Sequence, residues 1–213
     1  MQTVSRRVER FAQIFGFALL TACAPNAVNG QGIFATSRPS EQECRVWANR
    51  LNADSHSEAF RRALDSNISA CGSLGGEAIA TAIRQAKGSS LAEEFRFVVA
   101  YNRNPVLLAA LVEVAADPSA TDEMRLVAVE GTLRQHDIAS AFSRSMSELA
   151  SQPVGDDCEI IYVEDGGDYK STTPLPGDSR TTTSMSLRRV ADDSRNHQAV
   201  RDAARCVAER LSR

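Results

Sequence analysis

Apolar residues along this chain recur three and four positions apart, a spacing that predicts helices almost throughout. In residues 57–70 the side chains of Phe60, Ala63, Leu64, Asn67 and Ile68, continued by Cys71, share one face. Residues 41–52 precede them across a short turn, so the two segments read as a hairpin of helices. Gly72 is expected to stop the second. Residues 77–87 form the next helix, ended by Gly88, and Ser89-Ser90 caps one that turns Phe95, Val98 and Val99 inward. Pro105 then stands early in a helix reaching Ala116, where its missing N–H does no harm. Further helices are expected over residues 121–135 and over 137–151, the latter with the stripe Ile138, Phe142, Met146 and Leu149. Residues 182–191 and 196–211 make a last hairpin.

One pattern occurs twice. Leu111, Val114, Ala115 and Asp117 are followed by Met124, Arg125 and Ala128; at identical spacing, Leu187, Val190, Ala191 and Asp193 are followed by Val200, Arg201 and Ala204. A fixed-spacing self-match is the signature of stacked helical hairpins. An apolar residue followed by arginine also opens the second helix of each hairpin, as Phe60-Arg61, Phe95-Arg96, Met124-Arg125 and Val200-Arg201. An aspartate in the turn and then V-R-x-x-A resembles the second helix of HEAT-type (armadillo-like) repeats. Asp117 with Arg125 and Asp193 with Arg201 match both parts. The second hairpin has Ser89-Ser90 instead of the aspartate, and the first has Asp54 one residue closer.

The resemblance covers about residues 41–151 and 181–213. It implies an all-α fold, a short right-handed α-solenoid whose concave groove is lined by the second helices. It also implies structural roles for Asp117, Asp193, Arg61, Arg96, Arg125 and Arg201, tying each turn to the next helix. Residues 153–180 interrupt the repeat. Two β-prone runs, 159–163 and 169–173, flank Asp165-Gly-Gly-Asp168 and predict a small β-hairpin. Asp156, Asp157, Glu159, Glu164, Asp165 and Asp168 make this segment acidic, but their spacing does not fit an EF-hand loop, so a solvated hairpin is expected and no metal.

The N-terminus changes the picture of where the chain works. Arg6, Arg7 and Arg10 precede a short apolar run over residues 11–20, the layout of a signal peptide. Leu20-Thr-Ala-Cys23 resembles the lipobox of bacterial lipoproteins. It implies removal of residues 1–22, a lipid on Cys23, a tether over 23–40 and a repeat domain over 41–213. Ala24 fits the outer-membrane type. Ala22-Cys23-Ala24 also satisfies ordinary cleavage, which leaves a secreted soluble protein as the alternative.

Four cysteines remain: Cys44, Cys71, Cys158 and Cys206. In an exported chain they allow three disulfide connectivities. The helix layout favours Cys44–Cys71, at adjoining ends of one hairpin, with Cys158–Cys206 as the other pair; buried free thiols are the alternative. Their wide spacing argues against zinc and thioredoxin-like chemistry.

A formal charge of −3 argues against a nucleic-acid surface. No apolar run is long enough to span a bilayer, so membrane contact is expected through the lipid alone. The chain lacks the familiar hydrolase, metalloprotease, P-loop and dinucleotide motifs, and His56, His136 and His197 all fall at or beside turns. The expectation is therefore a non-catalytic interaction or scaffold module of the bacterial envelope, without cofactor, which binds a protein or peptide through the groove or the 153–180 insertion. The alternative is an envelope enzyme or small-ligand-binding protein that uses 153–180 as its substrate loop.

Overall fold

In a computed structural model the described residues are 39–52, 57–64, 67–86, 88–138, 140–152, 154, 158–162 and 171–213. The signal segment, Cys23 and the tether as far as residue 38 lie outside them, as do Asp156, Asp157, Glu164, Asp165 and Asp168. The described residues belong to one compact unit, Ser37–Arg213.

Helices dominate, so the chain is all-α in class. They are α1 (Glu41–Leu51), α2 (Glu58–Leu64), α3 (Gly72–Gln85), α4 (Ala92–Val99), α5 (Pro105–Ala116), α6 (Asp122–Gln135), α7 (Met146–Ser151), α8 (Ser179–Asp192) and α9 (Gln198–Ser212). Local chemistry starts several of them. Ser40 and Glu43 form a capping box on α1, the Ser40 Oγ accepting from the Glu43 N–H and the Glu43 carboxylate from the Ser40 N–H. Those bonds hold the Glu43 carboxyl below its ordinary pKa. Ser145 and Glu148 repeat the device on α7. Asn104 caps α5 ahead of Pro105, its Oδ1 accepting from the Val106 N–H at 2.8 Å.

Each hairpin packs on itself and on the next. Helix α1 lies against α2, α3 against α4, α5 against α6, and α8 against α9. The first helices form one row, α1 on α3, α3 on α5 and α5 on α8; the second helices form another, α2 on α4, α4 on α6 and α6 on α9. The core runs between the rows, from Leu51, Phe60 and Ile79 through Phe95, Leu111 and Leu126 to Val200 and Val207, all fully buried. Close approach within it is set by small residues. A Cβ on Gly76 would stand 2.6 Å from the Asn104 side chain that caps α5, and one on Gly75 would stand 2.2 Å from the Ile68 carbonyl oxygen.

Three expectations are corrected. The helix expected over 57–70 ends at Leu64, and a 3-10 turn covers Asn67–Ala70. Gly72 does not stop it but opens α3, with φ of 65°. The buried Asn102 Nδ2 fixes this corner by donating to the Ser69 and Gly72 carbonyls at 2.9 and 3.0 Å. The helix expected over 137–151 is instead a strand, β2 (Ser140–Phe142), followed by α7. Asp137 leaves the helical region with φ of 60°, and the Phe142 N–H is taken by a buried carboxylate rather than by a helical carbonyl.

Among the described residues the two β-prone runs pair elsewhere and not with each other. Strand β3 (Ile160–Tyr162) runs antiparallel to β2, with Ala141 opposite Ile161. Strand β4 (Ser171–Thr172) runs parallel to β1 (Asn102–Arg103). Each run thus completes an edge offered by the helical body, and residues 153–180 are built into the domain at both ends.

Two disulfides link the described residues. Cys44–Cys71 ties α1 to the start of α3, and Cys158–Cys206 ties the β3 segment to α9. Their sequence separations of 27 and 48 correspond, in the loop-entropy model, to about 3.5 and 4 kcal/mol of stabilisation. Such bonds persist in oxidising, exported compartments. Among the described residues no helix is long and apolar enough to cross a membrane.

Candidate functional site

The repeated arginines do the same thing twice. Arg125 Nε donates to the Ala115 carbonyl at 3.1 Å, and Arg201 Nε donates to the Ala191 carbonyl at 3.1 Å. In each case the second helix of a hairpin satisfies a carbonyl that the end of the first helix leaves without an intrahelical partner. Burial pulls the Arg125 pKa below its ordinary value, opposed by the charges of Asp122, Asp117 and Asp193. The paired aspartates shape the turns. Asp117 Oδ1 accepts from the Ser119 N–H at 2.8 Å, and Asp193 Oδ1 accepts from the Arg195 N–H at 3.0 Å. Hydrogen bonds from the Arg195 side chain and backbone hold the Asp193 carboxyl down at about 2.

Arg96 and Arg61, which occupy the same place in their hairpins, have other surroundings. Arg61 is exposed on α2. Arg96 reaches away from its own turn to α6, where its Nε and Nη2 grip the two oxygens of Glu130 at 2.9 and 3.0 Å. It also donates to the Phe142 and Arg144 carbonyls at 2.7 and 3.1 Å, and the Phe142 N–H returns a bond to Glu130 at 2.9 Å. Burial opposes the Arg96 charge, but the bonds and charges of Glu130 and Glu93 outweigh it, and its pKa is raised. Glu130 was not singled out from the sequence. Its signal was there: one carboxylate set in the otherwise uncharged run 126–133.

This network fastens a roof over the second-helix row. Every residue of α6 from Met124 to Gln135 is buried, and β2 and α7 pack on it. Phe142, Met146, Leu149 and Val154 enter the core from the roof, and Cys158–Cys206 secures its far end to α9. The inner face expected to line a groove is therefore closed at α6 by the chain itself.

An open apolar cleft lies on the other row. Between α5 and α8 a cleft of about 430 Å³ is floored by Pro105, Leu108, Ala109, Val112 and Pro176. Hydroxyls of Ser179, Thr182, Thr183 and Ser186 line the α8 side, and the carboxylates Glu113 and Asp178 stand at its edge. Glu113 is held by Arg84 Nε at 2.5 Å. Thr183 is buried, and its Oγ1 lies 3.2 Å from His136 Nε2 at the end of α6. Burial lowers the His136 pKa, Arg180 and Arg103 push the same way, and Asp137 opposes them. The end of the 153–180 segment supplies one wall of this cleft, Pro176 and Asp178, whereas the helical wall could not be foreseen from apolar periodicity.

A second cleft, about 810 Å³, opens at the first hairpin between α1 and α3, beside the Cys44–Cys71 bond. The other expected site residues fall apart in space. His197 Nδ1 is 3.5 Å from Asp122 Oδ2 on the far side of the α6–α9 contact, and His56 lies outside the described residues. No group of three metal-ligating side chains comes together among the described residues.

The class so defined is a helical, twice disulfide-linked domain with α6 covered by β2 and α7 and an apolar cleft between α5 and α8. No family model matches this chain, and neither a curated protein nor a solved structure gives a match.

Proposed function

We propose that this chain is a HEAT-like stack of helical hairpins, a right-handed α-solenoid, that serves as a non-catalytic interaction module in the bacterial cell envelope. The stacked reading is supported by the alternating contacts of first and second helices and by the twin Arg125–Ala115 and Arg201–Ala191 bonds. An envelope location is supported by the disulfides and by the lipobox-like Leu20–Cys23, with Cys23 as the acylated anchor.

The observation that carries the interaction role is the α5–α8 cleft. It offers contiguous apolar surface with polar edges, the composition of a recognition patch rather than of a general surface. A protein segment that places apolar side chains on Leu108 and Val112 fits it.

A photo-crosslinkable residue at the exposed Ala109, in the full chain expressed in a bacterium, tests this. One discrete protein adduct is expected from Ala109 and none from Asn49 on α1. Thr182→Trp, which fills the cleft, is expected to abolish it. The same adducts from both positions, or an adduct that survives Thr182→Trp, would refute the assignment.

A further inference from the structure

Charge is not spread evenly over this domain. Residues 179–213, the α8–α9 hairpin, hold eight arginines against four carboxylates, in a chain whose formal net charge is −3. The hairpin is thus a basic end on an acidic body. Its arginines divide into two sets. Arg195 pairs with Asp193, Arg205 pairs with Asp202, and Arg201 is engaged by the Ala191 carbonyl. Arg180, Arg188, Arg189, Arg210 and Arg213 are exposed, and none has a carboxylate within ion-pair distance among the described residues.

Three of these five surround one cleft. Arg180, Arg188 and Arg213 line a hollow of about 470 Å³ with Met185, Ser184 and Ser212. Two of the guanidinium groups are held in place. Arg180 Nε donates to the Leu211 carbonyl at 2.7 Å, and Arg188 Nη2 donates to the Ser212 hydroxyl at 3.1 Å. Met185 stands among them 54% exposed, one of few large apolar side chains so open. On α8, Arg189 follows Met185 by four residues, so it shares that face. The opposing charges on the hairpin's surface are Asp192 and Glu209, fewer than the five arginines without a carboxylate partner among the described residues.

We propose that this end of the α8–α9 hairpin docks on the anionic phospholipid headgroups of a bilayer. Guanidinium groups recognise phosphate by charge and by paired N–H donors, and an exposed apolar side chain between them suits the boundary of headgroups and acyl chains. An acidic body turned away from the surface and a basic end turned toward it give the molecule a preferred orientation. The docking adds to any acyl anchor and does not depend on one.

The test is partitioning of the full chain carrying Cys23→Ala onto phosphatidylcholine vesicles, with and without phosphatidylglycerol. The preference for anionic vesicles is expected to fall with added salt. Arg189→Glu/Arg213→Glu, at two side chains outside the hairpin's bonding network, is expected to reduce that preference at least about 25-fold, since each basic residue near such a surface contributes about fivefold. Arg50→Glu/Arg61→Glu makes the same charge change at the other end and is expected to leave most of the preference intact. Equal loss in both variants would reduce the effect to net charge and overturn the assignment. So would equal binding to neutral and anionic vesicles, or salt-dependent self-association of the chain without vesicle binding.

Discussion

Removal of Glu130 tests the roof most directly. Its side chain is only 4% exposed and accepts three charge-assisted bonds, two from Arg96 and one from the Phe142 N–H. Glu130→Ala leaves the Arg96 guanidinium, itself 20% exposed, with only the more distant Glu93 carboxylate at 3.5 Å, and frees a buried backbone donor. Breaking one partner of a buried pair costs about 3–5 kcal/mol, because the surviving charge stays desolvated. For a domain of this size that corresponds to a fall in Tm of roughly 10 °C. Urea unfolding followed by circular dichroism, with the disulfides intact, measures it. Arg96→Met/Glu130→Leu removes both charges and is expected to recover part of the loss, since no buried charge is then left unpaired and only the backbone groups of Phe142 and Arg144 lose their partners. A Glu130→Ala loss below about 1 kcal/mol, the range of an exposed pair, would show that the roof is not fastened here.

Four further positions give independent checks. Arg125→Ala strips a fully buried carbonyl, Ala115, of its partner and is expected to cost about 1–3 kcal/mol in thermal or urea unfolding. Arg201→Ala, at the more exposed copy of the same bond, is expected at about 1 kcal/mol; unchanged melting in both would sink the linking role. Arg134 is 7% exposed, and its Nε and Nη1 have no hydrogen-bond partner among the described residues, so Arg134→Met is expected to raise Tm, and a clear fall would refute the cost assigned to that charge. His136 has its folded pKa depressed below 6.5, so it contributes stability that is present above 6.5 and lost as pH falls through the folded value. His136→Gln, which keeps a donor for Thr183, is expected to flatten the fall of the urea midpoint as pH drops below 6.5, and an unchanged acid limb would contradict this.

Most helices were legible because three-and-four spacing survives wherever one face is buried and the other wet. The first half of α5 through the end of α6 and the last hairpin follow their apolar pattern to within a few residues. The failures share a cause. Residues 138–149 carry a helical stripe, Ile138, Phe142, Met146 and Leu149, yet fold as a strand and a short helix. What decides is not local: Glu130 takes the Phe142 N–H and Arg96 takes its carbonyl, and neither partner adjoins it in the chain. The runs at 159–163 and 169–173 have strand propensity, but propensity does not choose a partner. The edges at β2 and β1 exist only once α6 and α3 have placed them. The α5–α8 cleft was illegible for a related reason, since it is the space left where two helix surfaces fail to mesh.

The sequence of α6 itself contains the reason why β2 and α7 cover it. Helix α6 reads Met124, Leu126, Val127, Ala128, Val129 and Leu133 around its whole circumference, with Gly131 packed against Leu111 and Val99. A helix that sets large apolar side chains on every face must be covered on every side. Helices α4, α5 and α9 cover part of α6, β2 and α7 cover more of it, and a partner that came and went would leave that part in water. Sequence that inserts β2, α7 and β3 at that place solves the problem permanently, and Cys158–Cys206 makes the solution covalent. A chain built this way cannot use α6 as a binding face without unfolding its core. Two surfaces that stay open to partners are the α5–α8 cleft and the basic end of the last hairpin, one apolar and the other charged. They call for different partners, so Thr182→Trp is expected to leave vesicle binding untouched and Arg189→Glu/Arg213→Glu to leave the Ala109 adduct untouched. Loss of both activities in either variant would mean a single surface.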